Sequence, residues 1–65
     1  MKILLGEILH KRNLSIRQAS ILSGISKSTV QRIANEEISP TLKTLELIAK
    51  GLNIRICDLF DSPYK

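Results

Sequence analysis

Hydrophobic residues recur along this chain at helical spacing in separate blocks, each bounded by residues that start or stop a helix. Ile3, Leu4, Leu5, Ile8 and Leu9 form a first apolar stripe with Lys2, Glu7, Lys11 and Arg12 largely off it, which predicts a helix. Asn13 can take the left-handed position that closes it. Leu42, Leu45, Ile48, Ala49 and Leu52 make the apolar face of a later helix ending between Lys50 and Asn53, with Gly51 inside its last turn. Ile54, Ile56, Leu59 and Phe60 then predict a short final helix closed by Ser62 and Pro63, after which Tyr64 and Lys65 should fray. Ile21 and Leu47 fall off these stripes, as scattered surface apolar residues commonly do.

Between the outer blocks, Ser15 to Glu36 holds two helix starts separated by one forced turn. Ser15 followed by Gln18 is a capping box, so a second helix begins at Ile16. It should stop at Gly24, because glycine enters the left-handed region without the steric cost of a side chain. Ser26 caps a third helix at once, with Thr29 at its third position and Ile25 placed to staple onto Val30. Val30, Ile33 and Ala34 fall on one face of that helix, opposite Lys27, Ser28, Gln31 and Arg32. Ala19 and Ser20 face the apolar side from the second helix, and a small residue at Ser20 lets the two helices cross closely. Glu37 to Pro40 reads as loop, and the fourth helix is capped either by Ser39, with Pro40 at its first position, or by Thr41. The expected architecture is all-α, five short helices in a single domain over residues 1–65.

Composition narrows the function more than the fold. At 65 residues the chain is near the lower limit for a self-sufficient core, and oligomerisation would be a natural supplement. Its 43% hydrophobic content suits a globular chain, while one Phe and one Tyr make the core aliphatic and leave no platform for stacking bases. The formal charge of +4 is unevenly placed, +5 over residues 1–35 and −1 over residues 36–65. The positive half is the half with the central motif, which favours an anionic partner. Cys57 is single, so no internal disulfide forms and the chain suits a reducing cytoplasm. Glu7 interrupts the opening apolar run before it resembles a signal peptide, no stretch approaches a membrane span, and the Asn13-Leu14-Ser15 sequon is a chance match.

Enzyme chemistry finds no foothold. Gly24-Ile25-Ser26-Lys27-Ser28 lacks the core and spacing of a phosphate loop, and Asp58 and Asp61 sit near the chain end without a cleft. His10 is a solvated helix residue with no second metal ligand at a useful spacing. Neither a metal, a cofactor nor a small-molecule ligand is expected.

The motif resembles the Cro/CI-type helix-turn-helix of phage and bacterial repressors, a lambda-repressor-like DNA-binding domain. The resemblance rests on the small residue at Ser20, Gly24 four positions on, the run Gly24-Ile25-Ser26-Lys27-Ser28-Thr29-Val30, and the SPTLKTLELIAKGLNIRICDLF stretch from Ser39 to Phe60. It covers nearly the whole chain, with the helix-turn-helix at 15–36. It departs where the family usually has Glu, one residue and Gly after the recognition helix, places held here by Ala34 and Glu36. The acids Glu36 and Glu37 are expected to oppose a nearby phosphate.

The resemblance implies a sequence-specific regulator, a repressor, that binds double-stranded operator DNA as a homodimer, with the recognition helix over 27–35 in the major groove. Lys27, Ser28, Gln31 and Arg32 would contact bases: the cations guanine, Gln31 adenine and Ser28 either. Ser15, Arg17, Ser26, Asn35 and Lys43 would touch phosphates, Ser15 with the N–H groups opening the second helix. Arg55, Ile56 and Leu59 would lie near the dimer axis. Arg12, Lys50 and Lys65 are read as solubilising charges. Because the chain ends with this domain, no separate ligand-sensing domain is expected. The alternative is a protein-interaction module, such as an antitoxin or adaptor, which Glu36 and Glu37 would favour.

Overall fold

The computed structural model describes residues 1–65, and both chain ends meet in it. Strand β1 (Lys2–Ile3) pairs antiparallel with strand β2 (Phe60–Asp61), Lys2 opposite Asp61 and Ile3 opposite Phe60. Between them run α1 (Leu5–Lys11), α2 (Ile16–Ser23), α3 (Lys27–Ala34), α4 (Leu42–Leu52) and a single 3-10 turn, Ile56–Leu59.

Four α-helices therefore replace the expected five, within the expected helical class. Ile3 and Leu4 are not part of the first helix. The Leu4 N–H donates to the Leu59 carbonyl at 2.8 Å, so the ladder takes the backbone that periodicity assigned to a helical turn. The fully helical subset Leu5, Ile8 and Leu9 keeps the i, i+3, i+4 spacing, and Leu5 and Leu9 are buried. At the other end, Phe60 is extended (φ −144°, ψ 159°), which leaves only Ile56–Leu59 to coil. Arg55 N–H donates to Asp58 Oδ2 at 3.2 Å and opens that turn.

Local capping chemistry sets the remaining boundaries. Asn13 (φ 57°) and Asn53 (φ 58°) take left-handed positions after α1 and α4. Thr41, not Ser39, caps α4: its Oγ1 accepts from Thr44 N–H at 3.1 Å, and Pro40 lies just before the cap, outside the helix. Leu42, expected on the apolar face, sits at the first position of α4 and is 74% exposed, and the buried face of the helix begins at Leu45.

The core is aliphatic throughout. Ile3, Leu5, Leu9, Ala19, Val30, Ile33, Leu45, Ile48, Ala49, Leu52 and Leu59 form one cluster, each large side chain stabilising by about 1.5–3 kcal/mol on burial. α2 crosses α4 at Gly51, where a Cβ would lie 2.5 Å from the Leu22 carbonyl oxygen. Arg12, read as a solubilising charge, instead donates from its guanidinium to the Leu52 carbonyl, tying α1 to the C-terminus of α4. Lys65 likewise has a partner, donating to the Phe60 carbonyl at 3.0 Å with its ammonium 5.7 Å from the Phe60 ring centre. No helix is long and apolar enough to cross a membrane.

Candidate nucleic-acid interface

Two helices and the bend between them make the candidate site, and the bend is held by hydrogen bonds from both sides. Ser15 Oγ accepts from Gln18 N–H at 3.1 Å while Gln18 Oε1 accepts from Ser15 N–H at 2.8 Å, so the expected capping box is complete. α2 ends at Gly24 with φ 73°, and the Gly24 N–H returns to the Ser20 carbonyl. Ser26 opens α3, its Oγ accepting from Thr29 N–H at 3.4 Å and donating to Thr29 Oγ1 at 2.8 Å.

Sequence reasoning missed how the turn is locked. Ser23 is the one buried polar residue of the molecule; its hydroxyl donates to the Ala19 carbonyl at 2.7 Å and accepts from Ile25 N–H at 3.3 Å. Ser20, noted only for its size, donates its hydroxyl to the Ile25 carbonyl. Both polar groups of the Ile25 backbone are thus tied to α2, fixing the angle at which α3 leaves. A serine immediately before the helix-ending glycine was the available signal, since such hydroxyls bind nearby backbone.

The bend turns one face of α3 inward and the other out. Val30 and Ile33 are 1% and 0% exposed, whereas Lys27, Ser28, Gln31 and Arg32 are all exposed and share the opposite face at i, i+3 and i+4 spacing. None of these four side chains has a partner within the chain; the sole ion pair joins Lys2 to Glu7 at 3.3 Å on the surface. Arg17 and Lys43 are exposed and equally uncommitted.

Electrostatics favour an anion here. No acidic residue occurs between Glu7 and Glu36, and neither α2 nor α3 has one in its first turn. Instead Arg17 and Lys27 lie in those first turns, where a cation adds to the positive end of the helix dipole and costs stability by itself. An anion bound between them would offset that cost.

The structure separates the remaining expected site residues. Ser15 and Ser26 are at the two helix starts, as expected, with their hydroxyls engaged in capping. Asn35 caps the end of α3, and its amide donates to Glu37 Oε2 at 3.2 Å, so a phosphate there would meet a carboxylate too. Glu36 is exposed, and its carboxylate accepts from Ile3 N–H at 3.1 Å. Arg55 is exposed and Ile56 partly buried, but Leu59 is a correction. It is 0% exposed and packed in the core beside the β1–β2 ladder, so its side chain offers nothing to a second copy.

A bend of this geometry, with a cation-bearing helix standing off an aliphatic body, defines a helix-turn-helix protein. The family model for the helix-turn-helix matches residues 5–59, and the chain belongs to this Cro/CI-type family of DNA-binding regulators. It is 33% identical over 61 residues to the HTH-type transcriptional regulator PuuR of Escherichia coli (strain K12), and equally to that of Shigella flexneri. These alignments cover 94% of this chain and 33% of each relative, so the chain spans about a third of their length. No solved structure gives a significant match.

Proposed function

We propose that this protein is a transcription regulator that binds double-stranded DNA sequence-specifically as a homodimer and represses by occupying a promoter. It acts in the cytoplasm, as a binding protein and not an enzyme. The observation that carries the reading is the outer face of α3, where Lys27, Ser28, Gln31 and Arg32 are exposed and without intramolecular partners. Membership of the family and the regulator names of the relatives support it.

In this reading α3 enters the major groove. Arg32 and Lys27 donate to guanine O6 and N7, Gln31 pairs with adenine, and Ser28 bonds either, each good contact contributing about 1–3 kcal/mol of discrimination. Arg17, Lys43 and the N-terminal N–H groups of α2 beside Ser15 set register on the phosphates without reading sequence. Ser26 contributes its backbone end of α3, and Asn35 is the weakest phosphate ligand because Glu37 already holds its amide. Arg55 and Ile56 remain at the surface for a dimer contact. The protein-interaction alternative rested on Glu36 and Glu37, which are exposed and each hold one hydrogen bond within the chain, to Ile3 N–H and to the Asn35 amide.

A salt titration tests the proposal. Log affinity should fall steeply and linearly with log salt, and Arg17→Ala should shallow the slope by about 1, the value for one phosphate contact. Flat or undetectable binding at low salt refutes it. Selection from a random duplex pool should return a two-fold symmetric site with half-sites about 34 Å apart; a lone half-site would refute the dimer.

A further inference from the structure

Glu36 occupies a backbone position that glutamate resists. Its φ is +59°, in the left-handed region that glycine enters freely. The turn it makes closes α3, with Glu36 N–H donating to the Ile33 carbonyl at 3.0 Å and Glu37 N–H to the Arg32 carbonyl at 2.8 Å. A glycine would serve that turn better, so the side chain needs its own explanation.

The explanation lies 33 residues away, in β1. The β1–β2 ladder uses Leu4 N–H, donated to the Leu59 carbonyl, and leaves Ile3 N–H pointing away from β2. Ile3 is only 9% exposed, and its N–H donates to Glu36 Oε1 at 3.1 Å. The contact lies beside a close approach of α1 to the end of α3. There a Cβ on Gly6 would stand 3.1 Å from the Ala34 carbonyl oxygen. The N-terminal end of α3 is held through Ile25 by Ser20 and Ser23, so a second polar tie at its C-terminal end fixes the direction of the helix axis.

We propose that Glu36 is a positioning residue for DNA reading, an inference that rests on the function proposed above. Its carboxylate clamps the exit of α3 to β1 and sets the angle at which Lys27, Ser28, Gln31 and Arg32 meet base edges. The same bond gives the exposed carboxylate a backbone donor. Sequence discrimination depends on angle, because base contacts need aligned hydrogen bonds, whereas phosphate contacts tolerate more displacement.

Two variants of the full chain separate this role from a plain charge effect. Glu36→Gln keeps an amide oxygen for Ile3 N–H and removes the charge; Glu36→Gly removes the acceptor and relieves the backbone. The readouts are NMR amide exchange at Ile3, the thermal midpoint, and the ratio of affinities for a selected duplex and an unrelated duplex of equal length. In Glu36→Gly, Ile3 exchange should quicken about tenfold and the affinity ratio fall about three- to tenfold, the worth of one hydrogen bond to a charged or polar acceptor. Glu36→Gln should keep both within about threefold of the parent chain. Equal tightening of both variants on every duplex would mean that Glu36 merely repels phosphate, and would overturn the proposal. So would an unchanged Ile3 exchange rate, or an unchanged affinity ratio, in Glu36→Gly. If the unsubstituted chain binds no duplex, the recognition role falls with its premise, while Ile3 exchange still decides whether the clamp exists.

Discussion

Replacing Gly51 by alanine sets helix propensity against packing, and the structure says packing wins. Gly51 lies in the last turn of α4, where alanine would favour the helix by at most about 1 kcal/mol. The new methyl would meet the Leu22 carbonyl oxygen at 2.5 Å, the Leu22 carbonyl carbon at 2.7 Å and the Ser23 nitrogen at 2.9 Å. All three are main-chain atoms, so no rotamer change relieves the clash; α2 and α4 must move apart by about 1 Å to reach ordinary contact. That separation loosens the buried seam containing Ala19, Ile48, Ala49 and Leu52, an overpacking cost of about 2–3 kcal/mol, the upper part of the usual range because main-chain atoms must move. The net expectation is a loss of about 1–2 kcal/mol, which for a domain of this size lowers the thermal midpoint by roughly 4–16 °C.

Far-ultraviolet circular dichroism at matched concentration measures the midpoint, with Lys50→Ala as the neighbouring control, since Lys50 is exposed and bears no ion pair. A midpoint for Gly51→Ala equal to or above that of the parent would refute the close approach of the two helices. The change should also reach the recognition helix. Leu22 and Ser23 are the last residues of α2, and Ser23 holds Ile25 N–H, so a displaced α2 end tilts the exit of α3. Affinity for a selected duplex should drop by more than the unfolded fraction explains.

Other positions give simpler expectations. Gly24→Val should cost about 1–3 kcal/mol from backbone conformation alone, because a Cβ there meets nothing within 4 Å; Gly24→Asn should cost less, and an unmoved thermal midpoint in Gly24→Val would refute the left-handed turn. Ser23→Ala should destabilise by about 1 kcal/mol by removing the acceptor of Ile25 N–H, read by urea unfolding with an unchanged slope. Arg32→Ala should leave stability within about 0.5 kcal/mol while relaxing sequence preference; an equal loss on all duplexes would reassign Arg32 to phosphate.

What the sequence discloses here is what acts within four or five residues. The Ser15–Gln18 box, the Ser26 cap, the left-handed Gly24 and Asn13, and the inward Val30 and Ile33 all follow from side chains meeting backbone in the same turn. The readings that failed concern partners far along the chain. Its apolar neighbours permit a helix at Ile3, while its partner is Phe60 across the ladder. The family resemblance puts Leu59 near a dimer axis, whereas the β1–β2 ladder turns the short last helix so that Leu59 lies in the core. The same limit hid Arg12 on the Leu52 carbonyl, 40 residues away, and Glu36 on Ile3. Periodicity gives each element a face, and only the packed chain says which way the face turns.

The distribution of these bonds bears on how such a site can vary. α3 has eight residues, too few to be helical in isolation, and Lys27 in its first turn works against its dipole. Its helicity must therefore come from elsewhere: Val30 and Ile33 in the core, the Ser26 cap, the two serines of α2 on Ile25, and Glu36 on Ile3. None of these anchors lies on the face that carries Lys27, Ser28, Gln31 and Arg32. The residues proposed to read bases thus contribute little to the fold, and the residues that hold the fold lie off the face that would read them. A change of preferred sequence can then come from the outer face alone, with the core and the turn left intact.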